Sequence, residues 1–459
     1  MKKTSAQQFL EIIPENLRKL ADVCQFSLYI VGGSVRDFLA GYPLPENADW
    51  DICAPAEESE LLAGAEACGF TARAVYRATG TVKLEDRAGK GYEFSRFRSD
   101  AYVRGVHTPV EIFFTQDINL DARRRDFCAN AVYFDIKRGE FLDPLGGIPD
   151  IENRILRTVA PAEKVFGEDG LRLMRLARIS AQTGFSPDEE CLEGARRNAA
   201  LVKDIVAERI FTELQLLLSA DALHGDLDAP YRGLSLLRET GVLSEIMPEL
   251  SLGDKMPQRA DFHDHDVLEH SLRCVRYAPP GIRLAALLHD VGKPFCFLRD
   301  GNFHAHPEEG ARIARDILTR LKAPKRVIAE TETLVRVHMR DFNLLMKPNK
   351  VRRELVQCRP LLDELFALKQ ADFSACKDDL SPAPVVTKWR AELQKMKQEG
   401  APLSLKKLAV DGKDAQAAGI PSVKISEVLE ELLYYCAFDG SRNVRDHLIK
   451  RLKKIAEKG

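Results

Sequence analysis

The spacing of apolar residues changes near Phe166, and this change constrains the fold more than any other feature. Before it, an amphipathic helix predicted over residues 9–23 precedes short strand-like apolar runs at 28–31, 48–53, 81–84, 92–97, 110–114 and 131–134. After it, apolar residues recur at helical intervals over 201–218, 284–289, 311–321 and 425–435. We therefore predict an α/β first third and an all-helical remainder.

Composition narrows the class of protein. The 459 residues allow more than one domain, and 45% hydrophobic with 30% charged residues is typical of a globular chain. A net charge of -2 means that a nucleic-acid partner would need local basic patches. The ten cysteines include no Cys-x-x-Cys pair, which argues against a zinc knuckle or a disulfide scaffold. No run has the length of a secretory signal or a membrane span, so we expect a cytoplasmic protein without a membrane partner.

Two carboxylates and a glycine pair indicate a site for phosphate chemistry. Asp49 and Asp51 are two residues apart in a strand-like run, and alternation of side chains would place both on one face. Such a pair can hold divalent cations that activate a hydroxyl group and neutralise a triphosphate. Gly32 and Gly33 follow an earlier strand-like run and would let backbone N–H groups approach phosphates, with Arg36 adding a charged contact.

A third carboxylate, Glu93, interrupts the apolar run 92–97, where packing alone would not favour a charge. We include it with Asp49 and Asp51 as a candidate catalytic residue. Each piece alone also fits a simpler interpretation, in which the glycines form a turn and the acids a solvated strand face. Their occurrence together and in this order favours nucleotidyl transfer.

Four ordered motifs carry a resemblance to a known family. They are Gly32-Gly-x-Val-Arg-Asp37 with Asp49-x-Asp51, Asp121-x-x-Arg-Arg-Asp-Phe-x-x-Asn-Ala131, Asp143-Pro-x-Gly-Gly147, and Glu168-Asp-x-x-Arg172-x-x-Arg175-x-x-Arg178. Through them the chain resembles the class II tRNA nucleotidyltransferases and bacterial poly(A) polymerases, within the DNA polymerase beta-like superfamily. The resemblance implies a mixed-sheet α/β nucleotidyltransferase head over 1–155, a helical neck with a base-recognition motif over 156–255, an HD domain over 256–345 and a tRNA-binding body and tail over 346–459.

The resemblance also implies roles for the head residues. Asp49 and Asp51 would hold Mg²⁺, and the triphosphate would contact the backbone at Gly32 and Gly33 and the side chain of Arg36. The ribose pocket would be drawn from Arg124, Arg125, Asp126 and Asn130. The residue types agree, because Asp and Asn can hydrogen-bond ribose hydroxyls and arginines suit phosphate.

A polar stripe in the fourth motif is suited to reading a base. The spacing predicts that Glu168 and Arg172 lie one helical turn apart and that Arg175 and Arg178 continue the stripe. A carboxylate accepts from an exocyclic amine and an arginine donates to the neighbouring ring nitrogen, a pattern that cytosine and adenine share and guanine and uracil lack. The resemblance assigns this task to Asp169 and Arg172, with Glu168 orienting them; the alternative is a surface salt-bridge ladder.

Seven of the ten histidines lie between residues 263 and 338. His270, His289 and Asp290 match the HD metal-dependent phosphohydrolases, which implies a second divalent cation. For the closing ligand the sequence offers His338 or Asp341. In relatives this module acts as a phosphatase or cyclic phosphodiesterase, or only as a scaffold, and both interpretations stay open.

The resemblance implies template-independent addition of C, C and A from CTP and ATP to the 3′ end of tRNA. Alternatives are addition of CC or A alone, a poly(A) polymerase, or an HD phosphohydrolase with a nucleotide-binding head.

The segment 100–109 departs from the family's Gly-Arg-x-Pro form, and this departure concerns the switch from adding C to adding A. The tail resembles the part that holds the tRNA acceptor arm, and basic residues between Lys450 and Lys458 either contact phosphates or form a solvated helix face. The oligomeric state is left open.

Overall fold

The computed structural model describes residues 3–46, 48–103 and 109–457. The chain forms two compact units, Met1–Pro248 and Glu249–Gly459. Within the described ranges, no helix is both long enough and apolar enough to cross a membrane. Half of the 100–109 segment, residues 104–108, lies outside the described residues, and the domain boundaries after 155, 255 and 345 stay predictions.

The first unit is built on a mixed sheet. Its described strands are β1 (Tyr29–Val31), β2 (Asp51–Ala54), β3 (Thr71–Tyr76), β4 (Thr81–Glu85), β5 (Gly91–Arg96), β6 (Arg98–Ala101), β7 (Glu111–Phe114), β8 (Tyr133–Asp135), β9 (Glu140–Leu142), β10 (Ile155–Leu156) and β11 (Ser186–Pro187). Seven of them form one sheet in the order β3-β4-β5-β2-β1-β8-β9, while β6 pairs with β7 and β10 with β11. β3 and β9, the two edge strands of this sheet, have no counterpart in the predicted runs, and the residues of β3 are mostly exposed.

Helices alternate with these strands along the chain, and the regular elements described after β11 in the first unit are all helices. Those described in the first unit are α1 (Lys3–Ile12), α2 (Glu15–Val23), α3 (Gly33–Leu39), α4 (Glu58–Ala65), α5 (Ile118–Arg123), α6 (Gly147–Glu152), α7 (Ala162–Glu168), α8 (Leu171–Thr183), α9 (Glu189–Asn198), α10 (Ala207–Leu218), α11 (Asp221–His224), α12 (Ala229–Glu239) and α13 (Val242–Ile246). The predicted change from an α/β region to a helical one is confirmed.

The single helix predicted over residues 9–23 is wrong. The chain forms α1 and α2 instead, and Pro14 stands between them as the N-cap of α2. Proline has no backbone N–H to donate, and it disfavours helical backbone in the residue before it. Both helices still bury apolar side chains: Phe9 lies 4.8 Å, between ring centroids, from Phe38 and from Phe134.

The arrangement of β2 determines which side chains stay accessible. β2 pairs antiparallel with β1 and parallel with β5. Asp49 lies before β2 rather than within the predicted strand, yet exposure still alternates: Ala48, Trp50 and Ile52 are buried, whereas Asp49 and Asp51 are exposed. The parallel register pairs Asp51 with Glu93.

Every regular element described in the second unit is a helix. The α-helices are α14 (Pro248–Ser251, beginning at the last residue of the first unit), α15 (Val267–Tyr277), α16 (Arg283–Leu288), α17 (Lys293–Asp300), α18 (His306–Arg320), α19 (Lys325–Val337), α20 (Pro348–Gln357), α21 (Leu362–Lys377), α22 (Pro384–Gln398), α23 (Gly412–Ala417), α24 (Ile425–Ala437) and α25 (Arg445–Ala456). α15 packs against α16 and α21, and α18 packs against α17 and α19. These contacts gather several helix ends that carry histidines.

The tail has an apolar core of its own, which includes Leu408, Leu432, Leu448 and Leu452. The side chain of Asn443 accepts from the N–H of Ala409 and donates to the carbonyl of Lys407. Asn443 therefore has a structural role in joining two tail segments.

Candidate functional site

An acidic edge lies where β2 begins. The register places Asp51 beside Glu93, and both residues, like Asp49, are exposed. Gly32 approaches this edge in a left-handed conformation, with φ of 88°, and a Cβ atom added there would lie 3.1 Å from Asp51 Oδ2. Glycine at this position therefore allows the backbone before α3 to reach the carboxylates.

Asp51 combines solvent access with an unfavourable setting for its negative charge. The surrounding protein removes part of its hydration, and the charges of Glu93 and Asp49 add to this effect. Together they raise the pKa of Asp51 to about 6, although Arg125 opposes the rise. Oxygen ligands are those that Mg²⁺ prefers, and such a cation bound at this edge would stabilise the charged form of Asp51.

Arg36 is held inside the first unit rather than extended towards solvent. It is 5% exposed, and its Nε donates to Asp37 Oδ1 at 2.8 Å. Its Nη1 donates to Asn130 Oδ1 at 2.7 Å. The structure thus joins the first and second motifs directly, and Arg36 orients a residue predicted for the ribose pocket.

Arg124 and Arg125 are both anchored by Asp121, the first residue of the second motif, to which the sequence assigned no role of its own. Arg124 Nε donates to Asp121 Oδ1 at 2.7 Å, and Arg125 Nη2 donates to Asp121 Oδ2 at 3.0 Å. Asp121 also accepts from the Tyr133 hydroxyl at 2.7 Å. Burial alone would raise the pKa of Asp121, but the two guanidinium groups and the Tyr133 hydroxyl outweigh it and lower the pKa to about 2.

Asp126 connects the second and fourth motifs. Arg175 donates to Asp126 Oδ2 from Nε at 2.8 Å and from Nη2 at 2.6 Å, while Asn130 Nδ2 donates to Asp126 Oδ1 at 2.9 Å. Burial again opposes ionisation, but Arg175 and Asn130 hold the pKa of Asp126 well below its usual range. A continuous chain of contacts therefore runs from Arg175 through Asp126 and Asn130 to Arg36.

The fourth motif is divided between two helices. Glu168 ends α7, Arg172 lies in the first turn of α8, and Gly170 stands between them. A Cβ atom at Gly170 would lie 2.6 Å from the carbonyl oxygen of Leu201, so glycine permits a close backbone approach there. The continuous helical stripe predicted from Glu168 onwards is therefore wrong, although the predicted ion pair forms at 2.9 Å.

Arg172 is buried and firmly oriented. Its Nη1 donates to Glu168 and to the carbonyl of Val165, both at 2.9 Å, and its Nη2 donates to the carbonyl of Arg124 at 2.8 Å. These bonds use three of its five N–H donors. The guanidinium group also lies 5.6 Å from the ring centroid of Tyr102.

Asp169 and Arg178 have different partners. Asp169 is partly exposed; its Oδ1 accepts from the N–H of Leu171, and its Oδ2 lies 3.6 Å from Arg209 Nη2. Arg178 Nε donates to Glu213 on α10 at 2.6 Å. Arg178 therefore ties α8 to α10, whereas Asp169 keeps an accessible carboxylate next to Arg172.

A second cluster of polar side chains is buried in the helical unit. His270 Nε2 lies 3.2 Å from His289 Nε2 and 3.0 Å from Asp372 Oδ1. His289 Nε2 lies 3.2 Å from Asp290 Oδ2. Donor atoms held about 2.1 Å from one ion are about 3.0–3.4 Å apart in octahedral or tetrahedral geometry. The spacing therefore fits the donor set of a single cation.

Asp290 supplies an independent test of that fit. It is 1% exposed, and neither of its oxygens accepts a hydrogen bond of normal geometry, although Lys293 Nζ lies 2.6 Å from Oδ2. A buried carboxylate without hydrogen bonds is costly unless a cation compensates it. Imidazole nitrogens with carboxylates suit a transition-metal ion.

Asp372 on α21, rather than Asp341, is the acid that lies against His270 and His289, at 3.0 and 3.5 Å. His338, the other residue suggested by the sequence, lies 3.6 Å from Asp290 Oδ1. Asp341 is engaged elsewhere, because it accepts from Trp389 Nε1 at 2.9 Å and Lys388 Nζ at 2.8 Å. Asp372 lies beside the buried residues Leu368, Ala371 and Ala375 of α21, and this place on the packed side of the helix is the sequence signal that marks it.

Three family models match successive parts of the chain. The poly A polymerase head domain matches residues 28–157, the probable RNA and SrmB-binding site of polymerase A matches 184–252, and the HD domain matches 267–373. The last range includes Asp372. The three ranges follow the order of the sheet-containing region, the neck helices and the histidine cluster.

Known proteins of similar sequence span most of the chain. The Multifunctional CCA protein of Neisseria gonorrhoeae is 32% identical over 330 residues, 68% of this chain and 73% of the relative. The A-adding tRNA nucleotidyltransferase of Deinococcus radiodurans is 32% identical over 429 residues, 88% of this chain and 90% of the relative.

A solved structure agrees with this match over the full length. The CCA-adding enzyme of Bacillus stearothermophilus in complex with CTP has a TM-score of 0.67 at 25% identity, covering 100% of this chain and 99% of that one. The predicted fold class, a mixed-sheet head followed by helical regions with an HD domain, is confirmed. The chain belongs to the tRNA nucleotidyltransferase and poly(A) polymerase family and carries an HD domain.

Proposed function

We propose that the chain is a CCA-adding enzyme, which adds C, C and A from CTP and ATP to the 3′ end of tRNA without a template. The observation that carries the proposal is the acidic edge, where Asp51 pairs in register with Glu93 and Gly32 lies against the Asp51 carboxylate. Because tRNA is the proposed substrate, we place the activity in the cytoplasm. A relative named Multifunctional CCA protein and a relative named A-adding tRNA nucleotidyltransferase are both similar to this chain.

Asp49, Asp51 and Glu93 would hold Mg²⁺. When bound, Mg²⁺ supplies Lewis-acid chemistry that lowers the pKa of the attacking 3′-hydroxyl and neutralises charge on the triphosphate. Gly32 and Gly33 let the backbone approach that triphosphate. The chain's own contribution is therefore to hold the acids at one sheet edge and keep the adjoining turn free of side chains.

The connected polar network would bind the sugar and phosphates. Asp126 and Asn130 offer oxygen and amide groups for ribose hydroxyls, and the bonds from Arg175 and Arg36 hold these two side chains in place. Arg124 and Arg125, oriented by Asp121, are suited to phosphate oxygens. In this proposal Arg175 and Arg36 position the pocket, whereas Arg124 and Arg125 contact the nucleotide.

Base selection would fall to Asp169 and Arg172. Asp169 accepts from the exocyclic amine of C or A, and the remaining N–H donors of Arg172 face the unprotonated ring nitrogen. Glu168 keeps the Arg172 guanidinium group in one orientation, and Arg178 supports α8 through Glu213. A base that presents a carbonyl and an N–H in these positions would leave both side chains unpaired, so G and U are rejected.

In the first experiment, the purified full chain is incubated with Mg²⁺, tRNA that ends before CCA, and each NTP separately. We expect incorporation of CMP from CTP and none from UTP or GTP, and loss of incorporation in Asp51→Asn. Glu85→Gln, which changes a partly exposed acid at the end of β4 outside the acidic edge, serves as the control. Incorporation that persists in Asp51→Asn contradicts the proposed site.

A second candidate function concerns the HD domain. We propose that His270, His289, Asp290 and Asp372 bind a divalent cation and that the domain hydrolyses phosphate esters at RNA 3′ ends. The buried donor set and the unsatisfied oxygens of Asp290 support this proposal. Hydrolysis of a 2′,3′-cyclic phosphate by wild type, with loss in His270→Gln, would support it, and equal hydrolysis by both would contradict it.

A further inference from the structure

A pair of aromatic side chains lies at the surface next to the buried donor set of the HD domain. Phe297, in the second half of α17, is 46% exposed, and its ring centroid lies 5.6 Å from that of Phe303, with the two rings tilted by 39°. The next residue along α17, Leu298, is 72% exposed. Neighbouring apolar side chains of this size form an exposed patch, and such patches mark ligand-binding surfaces more often than isolated residues do.

This pair is connected to the buried donor set through Lys293, the first residue of α17. Lys293 Nζ lies 2.6 Å from Asp290 Oδ2 and 5.8 Å from the ring centroid of Phe303. The backbone of Phe303 makes a second connection, because its carbonyl oxygen lies 2.8 Å from Nδ1 of His306, and Nε2 of His306 lies 3.3 Å from Asp290 Oδ1. Moving outwards from Asp290, the polar contact with Lys293 is therefore followed by the aromatic pair.

The chain between the two aromatic residues has a defined shape. Gly301 ends α17 in the left-handed conformation, with φ of 68°, and its N–H donates to the carbonyl of Phe297 at 2.8 Å. The side chain of Asn302 accepts from the N–H of His304 at 2.8 Å. Ala305, directly before α18, also has a positive φ, 62°, which is unfavourable for a residue with a Cβ atom. Strained backbone of this kind clusters at ligand-binding loops, and here the surrounding contacts fix the spacing of the two rings.

We propose that Phe297, in contact with Phe303, stacks against the nucleobase of a nucleotide whose phosphate group lies at the donor set of the HD domain. A nucleotide carries a charged phosphate, then a sugar, then an aromatic base, and the protein presents its positive charge and its aromatic rings in the same order. The inference rests on the proposed phosphate chemistry of the HD domain, because the position of the phosphate is taken from it. The ligand class is a nucleoside phosphate, and the 3′ end of an RNA chain belongs to this class.

Stacking determines which phosphate esters the site would prefer. A phenyl ring offers no hydrogen bond to the edge of a base, so the pair should accept all four bases, with purines bound more tightly because their larger rings cover more of Phe297. Esters without a base would keep the polar contacts but lose the stack. The aromatic pair therefore makes the HD domain selective for nucleotides over other phosphate esters of the same charge.

The first test compares adenosine 2′,3′-cyclic phosphate with glycerol 1,2-cyclic phosphate, which lacks a base. With the Mn²⁺-loaded full chain, Phe297→Ser should raise KM for the adenosine ester about 10-fold and leave KM for the glycerol ester unchanged. Phe297→Trp, which keeps an aromatic ring, should retain the wild-type values. Phe342→Ser, which removes an aromatic side chain that is 66% exposed in the same unit, is the control and should also retain them. An unchanged KM for the adenosine ester in Phe297→Ser, or an equal rise for both esters, overturns the stack.

Binding without hydrolysis separates this inference from the proposed HD activity. In isothermal titration calorimetry, Phe297→Ser should raise the Kd of adenosine 2′-phosphate about 10-fold and leave unchanged the Kd of ribose 5-phosphate, which lacks a base. Binding to the head is common to both proteins, so the difference between them reports on Phe297. This rise in Kd without hydrolysis of either cyclic ester would support the stack and contradict the proposed HD activity. Hydrolysis of both esters, with no effect of Phe297→Ser on KM or Kd, would contradict the stack alone.

Discussion

Arg175 on α8 donates two hydrogen bonds, at 2.8 and 2.6 Å, to one oxygen of Asp126. The other oxygen of Asp126 accepts from Asn130. These contacts connect α8, which carries the proposed base-recognition motif, with the segment proposed to bind ribose. The proposed selection of the base and the proposed binding of the sugar are thereby mechanically linked within the first unit.

Removal of this link should weaken both stability and nucleotide binding. Arg175→Met leaves a buried carboxylate with fewer donors, and we expect a loss of about 2 kcal/mol in the free energy of unfolding together with a higher KM for CTP. Urea denaturation and initial rates measure the two effects. Arg197→Met, which removes an exposed pair with Glu193, should change stability by less than about 0.5 kcal/mol. Equal effects of the two variants would contradict the role of Arg175.

Nucleotide addition should depend on pH through Asp51. Its raised pKa of about 6 means that at low Mg²⁺ the carboxylate is protonated below that value and cannot bind a cation. Activity should therefore rise from pH 5 to pH 7, with the midpoint moving to lower pH as Mg²⁺ increases. Initial rates at several Mg²⁺ concentrations test this, and a midpoint independent of Mg²⁺ would count against Asp51 as a ligand.

We expect Asp51→Asn to reduce kcat about 1000-fold.

Asp169→Asn should relax the choice of base. An amide both donates and accepts, so it can face the carbonyl of uracil as well as the amine of cytosine. We expect kcat/KM for CTP to fall about 10- to 100-fold and the ratio of UTP to CTP incorporation to rise. Glu208→Gln, an exposed acid on α10, provides the control. An unchanged UTP to CTP ratio in Asp169→Asn would assign base recognition elsewhere.

Gly170→Ala should destabilise the first unit. The added Cβ would meet the carbonyl oxygen of Leu201 at 2.6 Å, so either α8 or the segment around Leu201 must shift. We expect a cost of about 1–3 kcal/mol. Gly281→Ala is the comparison, because a Cβ there meets nothing within 4 Å. Thermal unfolding that ranks the two variants in the opposite order would refute the close-approach argument.

Substitution of Asp372 and substitution of Asp341 should affect metal binding by the HD domain differently. Asp372→Asn should lower the affinity for Mn²⁺, because a charged ligand is lost, whereas Asp341→Asn should keep it. The latter variant weakens the contacts with Lys388 and Trp389 and should lower thermal stability instead. Titration with Mn²⁺ and thermal melting of both variants separate the two effects. Loss of Mn²⁺ binding in Asp341→Asn alone would reverse the assignment.

Local pattern was sufficient for six of the eleven described strands, β1, β2, β4, β5, β7 and β8. Alternation around Trp50 predicted the exposure of Asp49 and Asp51, and it persists although Asp49 precedes β2. Contacts between distant segments were harder to foresee. The parallel pairing that sets Asp51 beside Glu93 depends on the order of strands in the sheet, which spacing along one strand does not encode.

The incorrect prediction at Gly170 and the missed role of Asp372 also involve contacts between segments that are distant in the chain. The break at Gly170 follows from the approach of Leu201, a tertiary contact that a helical stripe does not reveal. Asp372 reaches His270 because α15 packs against α21, so its role depends on packing between helices far apart in the chain. Only the break at Pro14 was readable from local chemistry.

The most direct test of the central claim is the length of the product formed on three tRNA substrates, ending before CCA, after C and after CC, each with CTP and ATP. We predict additions of three, two and one nucleotides, all ending in the same CCA terminus. A product that stops after CC, or addition of A to the last substrate alone, would contradict the claim that this chain builds the whole end.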